Sequence, residues 1–151
     1  MPEPPLAETS GIPPFPRDTV VVLSTVDGDG PSLMPLTAAH RLDHRRVLCG
    51  LAPTRSTLAR LRRRPDCALL VLARDVAVTA RGSARVVVDP MPVTGLVAVL
   101  VTVHRAWDPR NAATIVSDGV RWGWADAGSA ARHEAVLAEL AELAEANSDS
   151  W

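Results

Sequence analysis

Residues 54–65 read Thr-Arg-Ser-Thr-Leu-Ala-Arg-Leu-Arg-Arg-Arg-Pro, hydroxyls and an arginine gathered at the start of a short helical pattern that Pro65 ends. A helix N-terminus presents backbone N–H groups without intrahelical partners and the positive end of the macrodipole. Thr54, Arg55, Ser56 and Thr57 therefore suit an anion such as a phosphate. They equally suit a plainer part, with Thr54 capping a surface helix whose arginines face water. A second group is Trp122-Gly123-Trp124, two indoles on the same side of a short strand predicted over 119–125. Such indoles stack on a bound planar ring or fill a seam between a barrel and a terminal helix, and Trp107 carries the same two readings.

Other chemistry finds little purchase. His40, His44, His104 and His133 are scattered, and His133-Glu134 lacks a second histidine four residues on, so no zinc site is expected. Ser24, His40 and Asp43 can be assembled into a triad only on paper, because no nucleophile-elbow glycines surround a serine. Gly28 and Gly30 belong to a hairpin turn and make no dinucleotide fingerprint. Arg60, Arg62, Arg63 and Arg64 can track phosphates, yet the net charge of −1 leaves no extended basic field for nucleic acid. All sixteen basic residues are arginine, so no lysine is available for catalysis or phosphate binding.

The elements that must position these residues are mostly strands. Residues 19–26 are β-branched and apolar and lead into Asp27-Gly28-Asp29-Gly30, a strong hairpin signal. An extended pattern resumes over 31–41, a polar turn follows at 42–45, and further strands are predicted over 46–52 and 66–73. The run 76–88 alternates with period two over thirteen residues. After the break at Asp89-Pro90-Met91-Pro92, residues 94–107 are apolar on both faces, as in a strand buried in a barrel or at a subunit interface. Residues 108–113 read as a loop or helical turn. Residues 129–146 form an amphipathic helix, with Val136, Leu137, Leu140, Leu143 and Ala144 on one face and Glu139, Glu142 and Glu145 elsewhere. Cys49 and Cys67 fall inside strands in apolar contexts without metal spacing, which points to a reduced, cytoplasmic protein. No apolar run is long enough for a membrane helix, and no signal peptide is expected. The organisation is a Pro-rich lead-in over 1–16, one domain over 17–146 and a tail over 147–151. The fold class is mainly β, a small β-barrel with helical additions.

The ordered set of strand, Asp-Gly-Asp-Gly-Pro hairpin, two strands, Thr-Arg-Ser-Thr helix with Leu61 and Pro65, strand, and a long strand with Ala80-Arg81-Gly82-Ser83-Ala84-Arg85-Val86 is similar to a known family. It resembles the pyridoxamine 5′-phosphate oxidase-like, FMN-binding split β-barrels and their deazaflavin-using relatives, well over 20–88 and loosely beyond. The resemblance implies a homodimer with flavin in a groove between subunits. The segment matching Arg55, Ser56 and Thr57 would hold the flavin phosphate or a ribityl oxygen; position 57, often lysine in the family, is threonine here. Met34, Pro35, Leu36 and Thr37 would run beside the isoalloxazine ring, or form ordinary barrel wall. Arg81 would approach the phosphate, or make an exposed salt bridge. Trp122 or Trp124 would cover the ring from the partner chain. The C-terminal arginine and histidine that bind pyridoxamine phosphate in the family are missing, so true vitamin B6 oxidase activity is not expected. Some split barrels of this type bind or degrade haem, for which His104 is a candidate ligand, against a core histidine as the alternative. The implied activity is hydride transfer between FMN or a deazaflavin and a small planar substrate, with no catalytic side chain identified. The alternative is a non-catalytic binder or carrier of flavin, deazaflavin or haem on the same scaffold.

Overall fold

The structure is a computed structural model and describes residues 7–151; Pro2, Pro4 and Pro5 of the predicted lead-in lie outside the described residues. Its strands are β1 (Ala7–Glu8), β2 (Val21–Asp27), β3 (Gly30–Leu36), β4 (Ala39–Arg41), β5 (Arg46–Leu51), β6 (Asp66–Ala73), β7 (Val76–Val88) and β8 (Val97–Asp108). The helices are α1 (Ser56–Arg63), between β5 and β6, and α2 (Ala127–Asn147), after β8. The strands make one curled antiparallel sheet in the order β3-β2-β6-β7-β8-β5-β4, with β1 added to β8. The period-two run became β7, whose Val78, Ala80, Gly82 and Ala84 are buried while Arg81 and Arg85 face out. At Gly82 the register with β8 shifts, and a Cβ there would come within 2.0 Å of the Thr102 carbonyl oxygen, so no side chain fits.

β5 and β8 are apolar on both faces because the sheet is covered on both sides. Val47, Cys49, Val99 and Val101 turn into the curl with Val21, Leu23 and Leu69. Leu48, Ala98 and Leu100 turn the other way, onto Leu140 and Ala144 of α2. Burial lifts the Cys49 and Cys67 thiols to about 12 each, Cys49 also feeling its neighbour, so both are inert. Pro31 and Pro35 are tolerated because β3 is the edge strand of the sheet order.

The structure corrects several expectations. The extended stretch 31–41 is broken into β3 and β4 at residues 37–38, where the Ala38 carbonyl accepts from Gly50 N–H. Residues 119–125 form no strand. They belong to an irregular arm that crosses the β6–β7 turn, where the Val116 carbonyl accepts from Asp75 N–H. Arg55 rather than Thr54 is the N-cap residue of α1, and its side chain makes no capping bond. Glu139, expected on the polar face of α2, is only 4 % exposed. Its carboxylate accepts from Val93 N–H at 2.6 Å, Thr94 N–H at 3.0 Å and the Thr94 hydroxyl at 2.6 Å, tying the β7–β8 loop to the helix. The lead-in is also anchored: Ile12 is fully buried and its N–H reaches the His44 carbonyl at 2.7 Å. Among the described residues no helix is long and apolar enough to cross a membrane.

Candidate cofactor cavity

The end of β3, the end of β5, the start of α1, the loop 93–96 and the first three turns of α2 line a cavity of about 550 Å³. This lies in the range that holds a drug-sized or cofactor-sized ligand. Its floor forms where α2 packs close on β5: a Cβ on Gly50 would stand 3.3 Å from Val136 Cγ1. Met34, Pro35, Leu36 and Thr37 make one wall, while Arg55 and Trp124 also reach the cavity. Six of the eleven residues expected from the sequence at a cofactor site therefore share one cavity.

Arg55 differs from its neighbours. Arg60 pairs with Asp27 at 2.8 Å and Arg63 with the same carboxylate at 3.5 Å. Arg62 pairs with Asp89 at 2.7 Å, and Arg64 with Asp66 at 3.2 Å. The Asp29 backbone N–H and then the Arg60 guanidinium hold the Asp27 carboxyl below its usual range. The basic face of α1 is thus neutralised within the chain. Arg55 has no carboxylate partner among the described residues, and no Asp or Glu lines the cavity. An uncompensated guanidinium at a helix N-terminus attracts an anion.

The remaining expected residues stand elsewhere. Thr57 is 5 % exposed, and its hydroxyl donates to Met34 Sδ at 3.2 Å, so it fixes a wall residue instead of facing solvent. Ser56 Oγ is exposed and accepts from Arg60 Nη1 at 3.1 Å. Thr54 is exposed and outside the cavity lining. Arg81 lies outside it too, its guanidinium 5.4 Å from the Trp107 ring centre on the outer face of β7. Trp122 is not in the lining; its Nε1–H donates to the Asp18 carbonyl at 2.8 Å. His104 is not the core histidine one reading of a buried strand expected. It is exposed, with Nε2 3.1 Å from Ser83 Oγ, and lies apart from the cavity. Asp43 is engaged by Arg46 at 2.8 Å, away from any serine-activating role.

Sequence reasoning missed the contribution of α2. Arg132 and His133 both line the cavity beside Ser129 and Thr94. Arg132 Nη2 donates to Ser129 Oγ at 2.9 Å, and Ser129 in turn donates to Asp126 at 2.8 Å. The His133 ring centre stands 5.2 Å from those of both Trp122 and Trp124. Burial, helped by the Arg17 charge and opposed by Asp18 and Glu134, holds the His133 pKa below its ordinary value, so the ring is neutral near pH 7. The available signal was a lone histidine one turn before the apolar face of a helix, which a search for metal spacing passes over. Among the described residues no cluster of His, Cys, Asp or Glu suits a metal ion.

This is a split barrel, a mainly β fold of one curled antiparallel sheet with two helices, as the ordered strands of the first half imply. The chain is similar to a putative pyridoxamine 5′-phosphate oxidase from Lactobacillus delbrueckii, with a TM-score of 0.53 at 20 % identity over 60 % of this chain and 85 % of that one. It is similar also to an F420 reductase, with a TM-score of 0.51 at 19 % identity over 60 % and 90 % of the two chains. HupZ from Group A Streptococcus gives a TM-score of 0.51 at 12 % identity over 70 % and 90 %. At these identities the likeness is one of fold. No family model matches the sequence, and no curated protein is similar to it.

Proposed function

We propose that this protein binds a flavin-type cofactor, FMN or a deazaflavin, in the cavity between α1, β3, β5 and α2, and passes a hydride to or from a small planar substrate. The observation that carries this reading is the single cavity that gathers Arg55, residues 34–37 and Trp124 with no carboxylate on its wall. The residues present fit such a group: apolar walls for a ring, the guanidinium of Arg55 for a phosphate with Arg132 across the cavity, and a buried imidazole nitrogen without a partner. The names of the neighbouring structures, a putative pyridoxamine 5′-phosphate oxidase and an F420 reductase, favour the same cofactor class.

In this reading Arg55 grips the phosphate with parallel N–H bonds, beside the free N–H groups of the first turn of α1. Thr57 adds no charge there, since its hydroxyl is given to Met34. Residues 34–37 support one face of the ring and Trp124 covers its edge. Val93 and Trp124 at the rim are 73 % and 45 % exposed, and a second copy of the chain covers them in a homodimer. When bound, the cofactor supplies the hydride chemistry; the chain binds it, orients it and keeps water out. A haem reading finds no support at His104, which faces solvent away from the cavity.

The test is an absorption titration of the purified protein with FMN and, separately, with a deazaflavin coenzyme. One cofactor bound per chain, with binding weakened in Arg55→Ala, is the expected result; no binding of either overturns the reading. Turnover of the reduced cofactor with a model acceptor then separates an oxidoreductase from a carrier.

A further inference from the structure

His133 Nε2 is, among the described residues, the one buried side-chain nitrogen or oxygen without a hydrogen-bond partner. The residue is 7 % exposed, and its neighbours in the chain supply no partner. Trp122 has already given its only N–H to the Asp18 carbonyl, and both indoles otherwise offer ring carbon. A buried polar atom in this condition forfeits the hydrogen bonds that it makes with water in the unfolded chain. Leucine or phenylalanine would fill the same space against two indoles without that cost. The ring also lines the cavity, so a ligand there is the partner within reach.

We propose that His133 contacts the ligand directly: its imidazole hydrogen-bonds a polar edge atom of the planar ring bound in the cavity, with Trp124 packed beside it. This rests on the cofactor-binding reading above, and it adds a contact from α2 to those from α1 and β3. The ligand class it favours is a heteroaromatic ring with nitrogen or carbonyl oxygen on its edge, a feature that an all-carbon aromatic lacks. Selectivity for the ring edge then lies in α2.

Two variants test it. His133→Phe keeps a flat ring and removes both nitrogens; His133→Gln restores a hydrogen-bonding group at a similar reach. Each is measured ligand-free by thermal melting and then titrated with whichever of FMN or the deazaflavin the wild type binds. The expected result is a His133→Phe protein that melts no lower than wild type, binds about tenfold more weakly, and regains affinity as His133→Gln. A role in packing alone gives the reverse, a lowered melting temperature with unchanged affinity, and overturns the inference while leaving the cofactor reading intact. Failure of the wild type to bind either cofactor is read before any variant is made, and overturns both.

Discussion

At the start of α1 the cavity meets Arg55, a charge with no carboxylate partner, whereas at the start of α2 it meets an imidazole and an indole edge beside Arg132, whose guanidinium is held by Ser129 next to Asp126. The charge acts by what it lacks, since the other α1 arginines all have carboxylates and this one has none. The imidazole acts by where it is held, between Trp122 and Trp124 at 5.2 Å from each. A site built in this way separates attraction of an anion, which local sequence can supply, from shape and edge recognition, which needs distant segments brought together. The largest way to break the contrast is to unseat α2. Leu140 is fully buried against β5 and β8, so Leu140→Ala is expected to cost about 2–5 kcal/mol in a denaturant titration. It should also open the cavity floor, and a loss below about 1 kcal/mol would mean that α2 is not a structural wall.

The charge side is sharpened by a matched pair. Arg55→Ala removes the uncompensated guanidinium and should weaken cofactor binding by about 10- to 100-fold, in line with a charge-assisted contact of about 1.5–3 kcal/mol. Arg62→Ala removes a guanidinium that is half exposed and paired to Asp89 at 2.7 Å, and should leave binding unchanged. Equal losses in the two would mean that the whole basic face, not the N-cap position, holds the anion. On the other side, Glu139→Gln takes one acceptor oxygen from the Val93 and Thr94 contacts and should destabilise by about 1–3 kcal/mol, read by chemical denaturation. Because that loop lines the cavity, a fall in affinity should accompany it.

Legibility in the sequence followed the range of the forces involved. Alternation over 76–88 exposed β7, because a strand between two others shows its pleat directly in side-chain type. Asp27-Gly28-Asp29-Gly30 exposed the hairpin for an equally local reason. Arg55 was legible because a helix start followed by Pro65 is a local signal, although which arginine stays unpaired depends on Asp27, Asp66 and Asp89 from three other segments. The break between β3 and β4 was not legible, since 37–38 carry no turn residues and the bend answers to packing on β5. Nor was Glu139, whose partners come from a loop forty-five residues away. His133 shows the limit most clearly: its companions lie on an arm with no regular structure, so neither period two nor period 3.6 connects them.

The smallest effect concerns the protonation of that ring. His133 is held below its ordinary value of 6.5 by burial first, with Arg17 adding to the shift and Asp18 and Glu134 opposing it. Below pH 6.5 the unfolded chain therefore binds a proton that the folded one refuses, and stability falls with pH until the folded pKa is passed. His40, half-buried and shifted the same way by burial, adds a parallel slope. The carboxylates held low, including Asp27 and Glu139, act at more acid pH, below their ordinary values of 3.8 and 4.5. Melting temperatures between pH 7.5 and 5.5 should thus isolate the histidines, and subtracting the His133→Phe profile from that of wild type should isolate His133. A residual fall on acidification in that difference places a neutral imidazole between the two indoles. A flat difference would mean that α2 presents the ring to solvent, and the division between a charged pole on α1 and a shape-reading pole on α2 would not hold.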